Sequence, residues 1–472
     1  MLTAARGAVG PGPGPLPQAA GRLDRHAAPA APAAAAVAVP ASVVYPVVRW
    51  ALYLFAASLP FEYPEHTIPL EVHTITGFLF VGAAFLQPRV TFGRWFWAVG
   101  GFALYLYIYV VAFALNGGAY HREVARLFIL LTQLTFLLWA AANLMRFPSI
   151  ARATLGALAG ACIARALLQF ARVATSGRAV FTGGERITAF GQNANVIAWI
   201  LAAGLVALLG LAYARHDTRP RYRGLIWAAV VLFALVIAET GSRGGLLALA
   251  AGVVTFTLGG RGVRGRGRNV FAALVALSVL YWAADHSEVM RNRITETLET
   301  GNLAGRERIV PTLWDMFLER PTIGWGPLNN KYELASRIPF QHRAKRDTHN
   351  IALEVLTATG VVGALPFFFA VGLCARAAWR ARRGRDGILP LALLAVGLVA
   401  NMSGNWIAAP LFWLVMAYPL ASADPLPEQE GPPTPDAPTA SVGALRAQSS
   451  HVPLRSSSSG LTPPAAAVGR GR

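Results

Sequence analysis

Apolar residues along this chain gather into long, nearly unbroken runs. Twelve occur, at about 42–60, 67–87, 95–115, 123–145, 150–173, 194–213, 225–240, 244–260, 269–284, 349–374, 388–404 and 406–422. A helix crossing the hydrocarbon of a bilayer needs roughly 17 to 25 residues. Most of the runs meet that length, while 225–240 and 269–284 fall short. Strands of a membrane β-barrel would alternate apolar and polar over about ten residues instead. The pattern predicts an all-α polytopic membrane protein of about twelve transmembrane helices.

Composition agrees. Of 472 residues, 55% are hydrophobic and 14% charged, against about 25% charged in an ordinary soluble domain. Two cysteines, Cys162 and Cys374, exclude a disulfide scaffold or a cysteine-ligated zinc site. A net charge of +19 would ordinarily suggest nucleic acid or an anionic surface. Here the basic residues lie mostly in short loops between apolar runs, so the expected partner is the lipid bilayer and no nucleic acid. With the first helix starting inside, seventeen arginines between Arg89 and Arg385 fall on cytoplasmic connections, and only Arg122, Arg178, Arg186 and Arg243 on short external ones. The positive-inside bias then puts both termini in the cytoplasm.

Residues 1–41, rich in Ala, Pro and Gly, lack the basic, apolar and cleavage-site order of a secretory signal peptide. They and residues 423–472, rich in Pro, Ser and Ala, are expected to be disordered cytoplasmic tails. Between them lie helices 1–9 (42–284), an external loop (285–348) and helices 10–12 (349–422). The loop is too long for a connector and reads as a lid or binding element. Ile309, Leu313, Trp314, Phe317 and Leu318 recur at helical spacing before Pro321, predicting one or two amphipathic helices over the bundle.

Arginine in hydrocarbon costs roughly 2.5 to 3.5 kcal/mol by insertion scales, so each one needs a reason. Arg165, Gln169 and Arg172 share a face of the fifth run, and Arg122 and Arg126 a face of the fourth. Arg122 and Arg172 also fit snorkelling to head groups, whereas the deeper Arg165 suggests an inward polar cavity. Arg186 precedes Asn195 in a polar stretch leading into the sixth run. Arg243 lies in Thr240-Gly-Ser-Arg-Gly-Gly245, and Arg306 and Arg308 open the loop helix. Such a set suits a diphosphate, since guanidinium forks match phosphate oxygens. Separate pairs with Glu185, Glu239 and Glu307 would suit it too. His349, in Asp347-Thr-His-Asn350 at the loop's end, is a candidate base for a hydroxyl proton. A plain helix start capped by Asp347, Thr348 or Asn350 explains the same residues. The sequence holds no external Asp-x-Asp pair, phosphate loop or nucleophile elbow.

Several segments occur in a telling order: Arg186 to Asn195; Thr240 to Gly245; Gly305-Arg-Glu-Arg-Ile-Val running on to Glu319-Arg-Pro-Thr-Ile-Gly-Trp-Gly326; Thr348-His-Asn350; and Gly360-Val-Val-Gly363. Together with the long loop between the ninth and tenth runs, they resemble the O-antigen ligase and polymerase superfamily of bacterial inner-membrane proteins. The resemblance implies a GT-C type fold with the large loop in the periplasm. It implies a metal-independent, inverting glycosyltransferase that needs no cofactor. The donor would be an undecaprenyl-diphosphate-linked glycan and, in the ligase branch, the acceptor a sugar of the lipid A core. By the same resemblance His349 is the base, Arg186 and Arg243 engage the diphosphate, and Arg306 opens the loop helix. Arg308, Asn195 and Asn350 are further candidates. Val310 and Pro311 stand where the family often has an aromatic. The polymerase branch, a branch modifying protein hydroxyls, and an anion transporter using the Arg165 stripe are the competing readings.

Overall fold

The computed structural model describes residues 41–61, 71–173, 175–179, 185–214, 220–259, 262–338 and 344–427. The expected tails, apart from residues 41 and 423–427, lie outside the described residues, as do Arg215, Arg219 and Arg261.

Each of the twelve apolar runs contains a helix. In chain order the helices are α1 (Pro46–Ser58), α2 (Val72–Ala84), the short α3 (Pro88–Thr91), α4 (Trp97–Leu115), α5 (His121–Leu144) and α6 (Pro148–Phe170). A hairpin of β1 (Thr175–Ala179) and β2 (Glu185–Ala189) follows, then α7 (Ala194–Ala214), α8 (Pro220–Glu239), α9 (Arg243–Thr257) and α10 (Gly262–His286). The long loop after α10 forms α11 (Glu288–Thr300), α12 (Arg306–Glu319) and α13 (Asn329–Arg337). The chain then returns through α14 (Ile351–Ala381), α15 (Leu389–Asn401) and α16 (Pro410–Ser422). Proline in the first turn starts α1, α6 and α16, where its fixed φ suits a helix and its missing N–H is no loss.

Among the described residues, six helices are long and apolar enough to cross a membrane: Trp97–Leu115, His121–Leu144, Pro148–Phe170, Ala194–Ala212, Gly265–His286 and Ile351–Ala381. Run 269–284 thus belongs to a longer helix than its apolar part suggested, because polar residues extend it at its start. Runs 388–404 and 406–422 yield helices of only 13 residues each. All of α16 is buried, so protein rather than lipid surrounds it. Two expectations need correction. The fold is helical except for the β1–β2 hairpin, antiparallel with Arg178 opposite Arg186, which forms in a polar segment between apolar runs. The loop carries three helices among the described residues, not one or two; α11 escaped notice because only Val289, Met290 and Arg293 are buried along it.

Arg94 and Arg146 both pair with Asp424, bringing the α3–α4 and α5–α6 connections and the end of α16 to one end of the bundle. At the opposite end of α5, Glu123 accepts from Lys345 and Tyr332 of the loop. The two ends are separated by the 24 residues of α5, about 36 Å at the helical rise.

What seats the loop is a break in α14. Gly360 has φ 62° and ψ −166°, a conformation that interrupts the helical ladder. The turn after α12 fills the gap with its own backbone. Trp325 N donates to Thr357 O (2.8 Å) and Gly326 N to Ala358 O (3.1 Å), while Val361 N and Val362 N donate to Pro321 O and Thr322 O. Irregular backbone at this depth is tolerable because protein, not lipid, meets its polar groups. A Cβ on Gly360 would lie 2.2 Å from Thr322 O, and one on Gly324 2.6 Å from Thr357 O. Above this joint Ile309, Leu313, Met316, Leu334, Ile338 and Leu353 bury one another as a small second core, tying α12 and α13 to the start of α14.

Gly360→Ala is therefore expected to lower stability by about 2 kcal/mol or more, from backbone strain and steric overlap together. Gly82, in α2 with no atom within 4 Å of its added Cβ, is the control. Its change to Ala should leave the melting temperature in detergent equal or slightly higher; equal melting of both variants would contradict the assignment.

Candidate functional site

Four arginines from four elements meet where the loop joins the bundle. On β2, Arg186 Nε donates to Thr240 O (2.7 Å) and Nη2 to Asn195 Oδ1 (3.0 Å). Ser242 Oγ donates to the same Asn195 oxygen and also accepts from Gly245 N, capping α9. That cap fixes the backbone immediately before Arg243, whose Nη1 reaches Arg293 O (3.0 Å) and Asn302 O (3.1 Å). A Cβ at Gly241 would lie 3.4 Å from Arg293 Cδ and 3.7 Å from Arg186 Cγ, so both arginine stems flank that glycine. From α12, Arg306 Nη2 donates to Ser403 O (2.6 Å), beside Gly244.

Arg293 is only 8% exposed. Burial first, then the neighbouring Arg243 and Arg306 charges, push its guanidinium down to about 10, still cationic at neutral pH. Burial followed by Arg243 lowers Arg306 as well. Two N–H donors, Arg293 Nη1 and Arg306 Nε, are buried without a hydrogen-bond partner among the described residues. Glu296 and Glu307 stand nearby, yet one oxygen of each is already engaged, by Asn302 and by Leu303 N. Four guanidiniums against two carboxylates leave a surplus of positive charge and unspent donors. Such a place recognises a multivalent anion. Beyond β2 lies a cavity of about 270 Å³, its surface mainly apolar through Phe170, Ile187, Leu235 and Val289, with Glu185, Glu239, His286 and Glu288 also in its lining. Ile187 follows Arg186 on the strand and so points to its other face.

His349 stands at the edge of this cluster, just before α14. Its backbone is left-handed (φ 52°), and Asn350 caps the helix by accepting from Ala352 N and Leu353 N. Its Nδ1 lies 3.5 Å from Asp347 Oδ2. Asp347 in turn takes a 2.8 Å hydrogen bond from Lys331 of α13, whose ammonium is also 3.8 Å from Glu354. Burial opposes ionisation of Asp347, but Lys331 and then His349 hold its carboxyl below the usual carboxylate range. For His349 burial dominates and lowers the imidazole; Asp347 pulls the other way, while Arg306, Arg346 and Lys331 add to the lowering. The imidazole is therefore neutral at pH 7, with Nδ1 toward a carboxylate and Nε2 available as an acceptor.

The other expected site residues fare differently. Asn195 joins the cluster through Arg186. Arg165 does not: it is 1% exposed, donating to Pro60 O and Gln192 Oε1 and facing Phe190, so it braces protein segments rather than lining an open cavity. Arg172 forms a two-pronged ion pair with Glu239, a partner that neither the polar stripe nor snorkelling to head groups supplies. Arg122 and Arg126 are exposed on the first turns of α5, and Arg308 is exposed on α12. Asn350 spends its side-chain oxygen on the helix cap. Sequence reading missed Arg293, Lys331 and the pairing role of Asp347. A lone arginine in a polar helix carries no signal of burial, and Lys331 meets Asp347 only through the fold.

The architecture and site define a polytopic helical membrane protein with a cationic cluster at one end of the bundle and an adjoining histidine. A family model described as O-antigen ligase matches residues 228–368, a span containing Arg243, Arg293, Arg306, His349 and the Gly360 break. An O-antigen ligase of Pseudomonas aeruginosa is 26% identical over 240 residues, covering 49% of this chain and 56% of that protein. The chain thus matches little more than half the length of that relative. The two matches support the O-antigen ligase superfamily for this chain.

Two outcomes are expected at the site. Arg293→Gln should weaken binding of inorganic pyrophosphate to the purified protein about tenfold, the worth of a charge-assisted hydrogen bond; calorimetry showing unchanged affinity would remove Arg293 from the anion site. Asp347→Asn takes away the charge that raises the His349 pKa. The acid limb of the rate–pH profile should therefore move to lower pH with a reduced maximal rate, and Asp347→Glu should restore part of both.

Proposed function

We propose that this protein is an O-antigen ligase of the bacterial inner membrane, with twelve spans in a GT-C type arrangement, cytoplasmic termini and a periplasmic active site. The donor is a glycan on undecaprenyl diphosphate; the acceptor is a sugar hydroxyl of the lipid A core. The convergence of Arg186, Arg243, Arg293 and Arg306 beside a neutral His349 carries this reading, because transfer from a glycosyl diphosphate needs both functions at one place. The family match over residues 228–368 supports the same class of chemistry.

In this mechanism the guanidiniums hold the diphosphate, and the mainly apolar cavity beyond β2 takes the first part of the prenyl chain. The acceptor hydroxyl gives its proton to His349 Nε2 as its oxygen attacks the anomeric carbon. The bond from that carbon to the diphosphate oxygen breaks, inverting the centre and leaving undecaprenyl diphosphate. Negative charge grows on the leaving group as the bond lengthens, so fixed cations stabilise the transition state more than the ground state. The protonated imidazole is stabilised by Asp347, whose own charge Lys331 secures. A base of this kind contributes about 10² to 10⁴ in rate. No metal or other cofactor enters the scheme.

The test begins with lipopolysaccharide from a strain lacking the gene. Core-only lipopolysaccharide, with long glycan accumulating on the carrier, is expected. Single repeat units on the core would assign the chain to the polymerase branch instead. In the complemented strain, His349→Ala should abolish transfer while membrane insertion persists; normal product from that variant would rule out the base.

A further inference from the structure

On the side of α13 turned away from Lys331, a second cavity of about 590 Å³ lies between this helix and the α4–α5 connection. Asn329, Tyr332, Glu333 and Ser336 line it, and their spacing places them on one helical face. Tyr120 and Tyr332 stack in parallel, with centroids 3.8 Å apart and an interplanar angle of 3°. Tyr120 adopts φ 58° and is 41% exposed. A left-handed backbone is strained for a tyrosine and persists only where its surroundings hold it. The anchors are visible: Tyr332 hydroxyl donates to Glu123, which Lys345 also grips. Across the cavity Arg320 lies over Trp325 at 4.0 Å and donates to Asn116 Oδ1 at 3.0 Å. Asn329 Oδ1 is buried without a hydrogen-bond partner among the described residues.

We propose that this cavity is a glycan-binding subsite, holding sugar rings of a substrate against the face of α13 turned away from Lys331. The proposal rests on the transferase reading for its substrate. Planar rings offer an apolar face to the C–H side of a pyranose. Amide, carboxylate and guanidinium groups around them match the alternating donors and acceptors of sugar hydroxyls. The polar walls are wrong for a prenyl or acyl chain. The volume falls within the roughly 300 to 1,000 Å³ of small-molecule sites, enough for a short run of sugars. Tyr332 directly follows Lys331, which holds Asp347 beside His349, so the helix that lines the cavity on one face carries a partner of the histidine's carboxylate on another. Donor glycan and core oligosaccharide share this chemistry, and either could be the occupant.

The experiment is a titration of the full chain in nanodiscs, read by saturation-transfer NMR and needing no turnover. One probe is the oligosaccharide released from the donor by mild acid; the other is core oligosaccharide freed of lipid A. One of the two should bind, and its identity assigns the occupant. Tyr120→Ala should weaken that binding about tenfold, Tyr120→Phe should retain it, and Asn329→Ala supplies a second loss if Tyr120→Ala melts early. KM for the same glycan should rise in the losing variants. Binding of neither probe, or binding untouched by both alanine variants, overturns the proposal. Glycan binding that obeys these variants in a protein unable to transfer would instead retain the subsite and discard the transferase reading.

Discussion

The exchange of backbone hydrogen bonds at Gly360 is the constraint on which the loop-bearing half of this protein depends. A membrane helix interrupted by a non-helical residue exposes carbonyls and amides that hydrocarbon cannot satisfy. Here the turn Pro321–Gly326 satisfies them, so α14 is continuous only because the loop is docked, and the loop is docked only because α14 is broken. From that joint α12 extends to Arg306 and α13 to Lys331, while the upper segment of α14 begins one residue after Asn350. The positions of the arginine, the lysine and the histidine are thus fixed by one contact made of peptide groups.

Electrostatically the site has two arms. Arg186, Arg243, Arg293 and Arg306 form a cationic region with unspent buried donors, a state that favours an anionic occupant over none. His349, Asp347 and Lys331 form a nearly balanced chain in which each charge secures the next. The arms touch through the field of Arg306, which helps keep the imidazole uncharged.

Much of this was legible in the sequence, and the remainder was hidden for physical reasons. Twelve apolar runs mark twelve helices because burial or lipid demands continuous apolar surface. Arg186, Arg243, Arg306 and His349 stood out because charged residues beside apolar runs need an explanation. Arg165 stood out on the same ground, yet its donors serve Pro60 and Gln192; sequence alone does not tell a brace from a binding group. Arg293 hid in a helix whose polar composition suggested an open surface. The cavity at Tyr120 joins residues some 200 positions apart, and periodicity does not report such a pairing.

A joint written in peptide groups has a consequence for how such a protein diversifies. Every amino acid except proline brings the same donor and acceptor, so the seat of the loop asks for particular residues mainly where a Cβ would collide, at Gly324 and Gly360. The outward-facing side chains of α12 and α13, Tyr332 with its bond to Glu123 apart, lie outside that exchange of peptide hydrogen bonds. They can change without disturbing the peptide contacts at Gly360. Attachment and recognition are encoded in separate atoms, so drift in one need not disturb the other.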